Sequence, residues 1–498
     1  MKPHNKTQST SERYFNKTIL AIGFIIILLQ LAFLFAVGAN PIEQLYIQGK
    51  DSLRTELGKQ LSDLEIQKRL NFPKTVKRFY DQVNLQTNWL RSEENSGPTD
   101  MAMRLLDCVK QYGLQPRDYH PEILTYEEMH RIFSSEIQLS AGQKIEFELM
   151  LTDAMVSIIN NLHFGAYNPR LSKTAIDNGL KDELHAEIFL HLATGSGDLM
   201  QAVLTVQPKI DQYVQLQGYM KLIAGQYTCD SYETPEEDIR LIAINMERLR
   251  WLTVEANSYL HINIPSFELT YYTPFKISEY KVVVGKPSTP TPTLESAIGF
   301  LETGADWMVP QNIFIKELLP RVQRDLAYFE NNHMAVYDLQ ENFVPITNQS
   351  LLLIRQNPRR YHLRQTSGCD NALGKVVFRF SNIYGIYLHD TPEQQYFGRE
   401  KRAFSHGCVR VSDAEQLAIS LIKNDQQGER IPLLKKALSS YSKQKFILKT
   451  PLPIIITYLT ITVESELLVK HADIYSQDKA LEGKMYGQQS ELTKASTK

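Results

Sequence analysis

Two short segments hold residue types whose spacing suits covalent chemistry. One is Tyr387-Leu388-His389-Asp390-Thr391; the other is Ser405-His406-Gly407-Cys408-Val409-Arg410-Val411, in which Cys408 follows His389 by 19 positions. A cysteine attacks only as thiolate, and a free thiol with a pKa of roughly 8.5 is mostly protonated at neutral pH. A histidine beside it can take that proton or stabilise the thiolate as an imidazolium. The pair therefore fits nucleophilic acyl chemistry, with Cys408 as nucleophile and His389 as general acid/base. Gly407 permits a tight turn with positive φ. Such a turn can expose the backbone N–H groups of Gly407 and Cys408 to the oxyanion of a tetrahedral intermediate. Arg410 lies two residues beyond Cys408 and shares its face if the segment is extended; there its guanidinium could grip a substrate carboxylate bidentately. Residue types alone leave other readings open. A lone cysteine is commonly a small buried hydrophobe. His389, His406 and Cys408 are also zinc-ligand types, but the one-residue gap between His406 and Cys408 is atypical of structural zinc and no fourth ligand is evident. No metal and no organic cofactor is assigned.

These residues need rigid elements to aim them. His389 ends YGIYLHD, a run of strand-forming residues. Cys408 precedes a short strand or turn and then the helical run AEQLAISLIK, which Ser412 or Asp413 is expected to cap. Both belong to a β-rich region that begins near residue 260 and includes INIPSFELTYY, EYKVVVGK, GKVVFRFSN and LPIIITYLTITVE. The interval at about 310–360 interrupts it. It holds a helical run from Gln311 to Asp325, just after Pro310, and then an irregular stretch rich in Asn, Tyr and Pro. That interval reads as an insertion over the sheet domain, a lid. Upstream, residues 76–256 carry helical spacing, as in IEFELMLTDAMVSIINNLHFG and IRLIAINMERLRWL. Residues 41–75 read as a charged, exposed helix or stalk. The polar end, 486–498, is expected to be disordered.

The 498 residues suffice for two or three domains. Net charge is -2, with acids and bases intermixed, which argues against a nucleic-acid binder and its usual basic stripe. Residues 1–17 are polar and net basic; Ile19 to Val37 is then almost continuously apolar, 19 residues against the roughly 20 that span a bilayer. With the basic flank on the cytoplasmic side, 1–17 is expected inside the cell and 18–39 is expected to anchor the chain. Small residues at Val37-Gly38-Ala39 keep a cleaved signal peptide open as the competing reading. Either way the remainder is exported. The four cysteines, Cys108, Cys229, Cys369 and Cys408, are too scattered for a disulfide framework.

The pattern His, about fifteen residues, then Ser/Thr-His-Gly-Cys-x-Arg/Asn resembles the signature of L,D-transpeptidases with a YkuD-type catalytic domain. More widely, VVVGKPSTPTPTL, MVPQNIFIKELLPRVQRD, NALGKVVFRFSN, YLHDTP, RAFSHGCVRV and HADIYSQDKAL resemble the large Gram-negative, YcbB-like branch. YGLQPRDYH and LLTDAMVSIINNLHFGAYNP resemble its scaffold region more weakly, so the likeness covers most of 76–485. The resemblance implies an α+β, membrane-anchored protein. A helical scaffold at 40–256 would precede a β-rich catalytic domain at 257–485, with a capping subdomain at about 310–360. It implies Cys408 as nucleophile and His389 as general base, with the ring's other nitrogen held by a main-chain carbonyl near Asp390. Ser405 belongs to the motif, His406 and Gly407 would shape the oxyanion turn, Arg410 would orient substrate, and Tyr387 and Trp307 would line the groove. The implied partners are peptidoglycan tetrapeptide stems as donor and acceptor, the inner membrane, and other proteins of wall synthesis. The implied location is the periplasm, and the implied product a 3→3 crosslink. A carboxypeptidase or a hydrolase releasing wall-bound lipoprotein could use the same site, and a non-catalytic wall-binding scaffold is the reading from another class. In one respect the chain departs from the branch: only about 18 residues, Ile223 to Arg240, stand where a small peptidoglycan-binding module is usual.

Overall fold

A computed structural model describes residues 41–90, 97–134, 136–180, 183–224, 236–254 and 256–487. Among these, no helix is long and apolar enough to cross a membrane. The expected anchor at 18–39, the segment 1–17 and nearly all of the polar end lie outside the described residues. The described residues gather into two compact units. One falls within Met1–Met103, Tyr119–Ser157 and His185–Leu199, the other within Arg104–Asp118, Ile158–Leu184 and Met200–Lys498.

The first unit is helical. Its opening helix, Pro41–Leu61, is not the exposed stalk that its charge suggests. Leu57 and Leu61 are buried, as are Leu70 and Phe72 beyond it. Leucines four apart lie on one helical face, so a sparse apolar stripe is enough to dock a charged helix. The long helix Ala141–Phe164 supplies two buried carboxylates that organise the backbone around it. Glu148 accepts from the main-chain N–H groups of Trp89 and Leu90 at 2.9 and 3.1 Å, and Asp153 accepts from Asn71 N and Phe72 N, each at 2.8 Å. Burial keeps the Glu148 pKa raised, against hydrogen bonds from Asn88, Trp89, Tyr80 and Leu90, which lower it.

The second unit holds the β-rich region. Its first strands are β1 (Tyr259–Asn263), β2 (Glu268–Tyr272), β3 (Ile277–Gly285) and β4 (Leu294–Thr303). The interrupting interval then contributes β5 (Trp307–Met308), β6 (Met334–Asp338), β7 (Phe343–Val344) and β8 (Tyr361–Gln365). The main sheet resumes with β9 (Val376–Phe380), β10 (Leu388–His389), β11 (Ala403–Ser405), β12 (Val409–Val411) and β13 (Gln444–Thr457). Its order is β11-β3-β12-β10-β9-β4-β13-β1-β2, and β2 also pairs with β3, so the sheet closes on itself. Period-2 alternation sends Tyr280, Val282 and Val284 of β3, Leu388 of β10, and Val409 and Val411 of β12 into one core. The helix Ala414–Asn424 joins that core through Ala414, Leu417, Ala418 and Leu421, the spacing of a helical stripe. Neither expected cap serves this helix. Ser412 Oγ accepts from Lys281 N of β3 at 3.0 Å, and Asp413, at the cap position with φ 47°, makes no side-chain cap bond.

The interval is more ordered than its composition suggests. β5, β8, β6 and β7 form a second, four-stranded sheet in that order. It has its own core of Phe314, Leu318, Val322, Phe329, Val336, Ile354 and Leu363. Short strands that pair across long gaps, as Val336 with Leu363, leave little local periodicity to read. The helical run after Pro310 contains a π-turn at Phe314–Leu318, followed by Leu319–Val322 with Pro320 near its start. A proline inside a helix removes a hydrogen bond and crowds the carbonyl four residues back, and a π-turn absorbs that misfit.

Elsewhere in this unit, the helices Asp211–Ala224 and Glu236–Arg250 share a core with the helix Asp478–Tyr486 and with β14 (Ile461–Glu464), which pairs with β15 (Leu467–Lys470). Residues after Ile239 thus pack with the end of the chain.

Candidate active site

Strand register assembles the site. β10 and β12 are parallel neighbours, with His389 opposite Arg410 and Leu388 opposite Val409. Leu388 and Val409 face the core, so His389 and Arg410 face the other way. One step back, Val409 N donates to Tyr387 O at 3.1 Å, which continues the register and puts Tyr387 beside Cys408 on that same outer face. On the far side of β10, antiparallel β9 sets Val377 opposite His389. Arg379, two residues on, shares that face and lies opposite Tyr387. Its guanidinium is 4.8 Å from the Tyr387 ring centroid.

The Cys408 turn is closed by Ser405. The Ser405 hydroxyl donates to Cys408 O at 2.6 Å and accepts from Gly407 N at 3.1 Å. Gly407 has φ 116°, a conformation that costs glycine least. Its N–H is therefore committed inside the turn and is not free to meet an oxyanion as expected. Among the described residues, the His406 and Cys408 N–H groups of this turn make no hydrogen bond. Below it, Thr291 Oγ1 donates to Gly407 O at 2.8 Å.

His389 is buried. Its Nδ1 is 2.5 Å from Asp390 O. A carbonyl only accepts, so Nδ1 carries the proton and Nε2 presents a lone pair. The Asp390 carboxylate faces elsewhere, accepting from Lys375 N at 2.8 Å; as expected, Asp390 serves the ring through its main chain. Burial, with help from the Arg410 and Arg379 charges, lowers the His389 pKa to about 3. Burial raises the Cys408 thiol, against hydrogen bonds from Tyr387 and the two arginine charges, which lower it. At rest the pair is thus neutral imidazole and neutral thiol, not an ion pair.

The remaining expected residues fall around this centre. Burial raises the Tyr387 hydroxyl well above its ordinary pKa, and its side chain hydrogen-bonds both Trp307 and Cys408. Trp307, on β5, packs beside Tyr387, Val377, Leu373 and Ala305, where the insertion meets the main sheet. Arg410 is engaged by Glu393 at 2.5 Å, which takes one donor of its fork. His406 turns from the nucleophile toward the insertion and meets Glu317 at 2.6 Å. Sequence reasoning missed Arg379, Glu317, Glu393 and Thr291. Only Arg379 left a signal, as the charged residue in the otherwise apolar strand Val376–Phe380. A cleft of about 430 Å³ elsewhere in this unit, lined by residues such as His163, Arg170 and Trp251, contains none of the residues above.

A family model described as the L,D-transpeptidase catalytic domain (YkuD) matches residues 257–426, and one described as a scaffold domain matches 74–220. A Haemophilus influenzae protein provisionally named an L,D-transpeptidase is 32% identical over 241 residues, which cover 48% of this chain and 48% of that protein. The chain thus spans about half the length of this curated relative. Among solved structures, an L,D-transpeptidase (Ldtfm) carbamoylated by avibactam is 14% identical, with a TM-score of 0.21 over 41% of this chain and 49% of that one. A cysteine-to-serine variant of the Enterococcus faecium L,D-transpeptidase is 13% identical, with a TM-score of 0.19 over 40% and 50%. Residues 257–426 of the chain thus carry a YkuD-type L,D-transpeptidase catalytic domain.

Proposed function

We propose that the chain is an L,D-transpeptidase that joins peptidoglycan stems in 3→3 crosslinks through a thioester on Cys408. The observation that carries this reading is the outer face shared by His389, at the end of β10, and Cys408, just before the adjacent parallel strand β12, with His389 Nδ1 bonded to Asp390 O.

The Cys408 sulfur attacks the carbonyl of the third residue of a tetrapeptide stem while its proton passes to His389 Nε2. Because both groups rest neutral, proton transfer accompanies attack. The Cys408 N–H, in the turn that Ser405 closes, supports the oxyanion. The intermediate collapses by breaking the C–N bond to D-alanine, and His389 returns the proton to the departing amine. The side-chain amine of a second stem then attacks the thioester, gives its proton to His389, and restores the Cys408 thiol as the new amide forms. Arg410 and Arg379 surround the reacting centre with positive charge suited to stem carboxylates and the oxyanion. Tyr387 and Trp307 line the approach. The insertion at 307–365 is suited to keep water from the thioester, since hydrolysis there yields a carboxypeptidase instead.

The basic N-terminus and the apolar run from Ile19 to Val37 support a catalytic domain in the periplasm, anchored in the inner membrane by 18–39. Incubating purified chain with tetrapeptide stems and analysing products by mass tests the assignment. Crosslinked dimer with release of D-alanine is expected. Tripeptide monomer alone points to hydrolysis, and unchanged stem to a binding scaffold. Cys408→Ala abolishes the dimer; a dimer that persists sinks the role given to Cys408.

A further inference from the structure

We propose that Glu317 is a positioning residue which fastens the inserted subdomain to the turn bearing Cys408. The inference rests on the transpeptidase reading above. Its basis is the contact between Glu317 Oε1 and His406 Nε2 at 2.6 Å. An ionised carboxylate only accepts, so Nε2 carries the hydrogen and the bond is charge-assisted. Lys286 Nζ stands 3.4 Å from the same nitrogen and 3.8 Å from Glu317. With Nε2 already a donor, Lys286 acts as a counter-charge to Glu317 rather than as a donor to the ring.

His406 lies between two anchored carbonyls. Ser405 O accepts from Lys286 N at 3.0 Å and from Thr289 Oγ1 at 3.2 Å, and Gly407 O accepts from Thr291 Oγ1 at 2.8 Å. The backbone of the turn is thus tied to the end of β3 and the loop after it, while the His406 side chain reaches the insertion. Glu317 is equally well rooted on its own side. It sits in the π-turn Phe314–Leu318, whose two end residues are buried in the insertion's core. π-turns recur at functional sites because they re-aim side chains, and here Pro320 supplies the local cause. The position of the insertion and the geometry of the Gly407-Cys408 turn are therefore linked through this hydrogen bond, beside the contacts that Trp307 makes with Tyr387. Seating a stem under the insertion sets the turn, and a displaced insertion relaxes it.

The test uses the full chain with a donor tetrapeptide and excess acceptor stem. It follows thioester formation by intact mass and the split of the thioester between acceptor and water. Glu317 is partly exposed, so its replacement leaves the core intact. Glu317→Ala is expected to slow thioester formation about tenfold, the scale of one charge-assisted hydrogen bond, and to raise the hydrolysed share. Glu317→Gln keeps an acceptor for Nε2–H and is expected to recover most of both. Wild-type behaviour in both variants, or equal loss in both, overturns the inference. Wild-type chain that forms no thioester under the same conditions overturns the transpeptidase reading itself, and with it the role given to Glu317.

Discussion

The chemistry of the pair turns on burial. A histidine whose pKa is lowered to about 3 and a thiol raised by the same burial remain neutral together across the physiological range. The acid limb of the rate should then be absent where an ordinary histidine, near 6.5, would place it. The rate of thioester formation, measured apart from the acceptor step, is expected to be flat between pH 5 and 8. A fall of tenfold per unit below pH 6.5 would show that His389 titrates as if exposed. The neutral resting pair also separates this cysteine from thiolate–imidazolium nucleophiles, whose sulfur is already ionised before substrate arrives.

At the scale of elements, the site depends on the segment 371–390 holding one shape. Gly374 has φ 62°, and a Cβ there would lie 2.5 Å from the Asp390 carboxylate. That carboxylate braces Lys375 N, while the carbonyl of the same residue holds His389. Gly374→Ala is expected to cost about 1–3 kcal/mol through strain and displacement, and to slow thioester formation by shifting the His389 ring. Comparing the melting midpoint with the acylation rate checks both effects. The rate should fall further than the loss of folded protein accounts for. Two-residue strands such as β10 carry little intrinsic preference, so their neighbours must hold them: β9 on one side and β12 on the other. That explains why the run YGIYLHD reads as a strand yet yields only two paired residues.

Across the whole molecule, two buried histidines tie stability to pH. Burial lowers His261 to about 4 and His389 to about 3, against about 6.5 in an unfolded chain. Between those limits the unfolded chain binds more protons, so stability falls as pH drops. From pH 7 to 5, above the ordinary carboxylate range, the unfolding midpoint of the β-rich unit should decline. The contribution is on the order of 1 kcal/mol per unit per histidine below pH 6.5. Calorimetry at the two pH values, with His261→Gln to remove one contribution, measures it. A midpoint that rises on acidification would show these rings to be solvated.

What the sequence determined by itself was which residues are candidates for the chemistry and the kind of element carrying them. His389, Cys408 and the SHGCVRV run were legible because the proposed nucleophile and base and the turn glycine sit close together in the chain, and the alternation of β3 and β9 is a local property. What only the tertiary structure decided was which groups face them. Glu393, Glu317 and Thr291 reach Arg410, His406 and Gly407 from 17, 89 and 116 positions away, and Arg379 reaches the Tyr387 ring from the neighbouring strand β9. No local pattern encodes such a meeting. The same holds for the hydrogen bond that occupies Gly407 N–H and for the burial that keeps His389 neutral. Both depend on how strands distant in sequence are laid side by side, and that is set by packing of the whole core rather than by any segment's own preference.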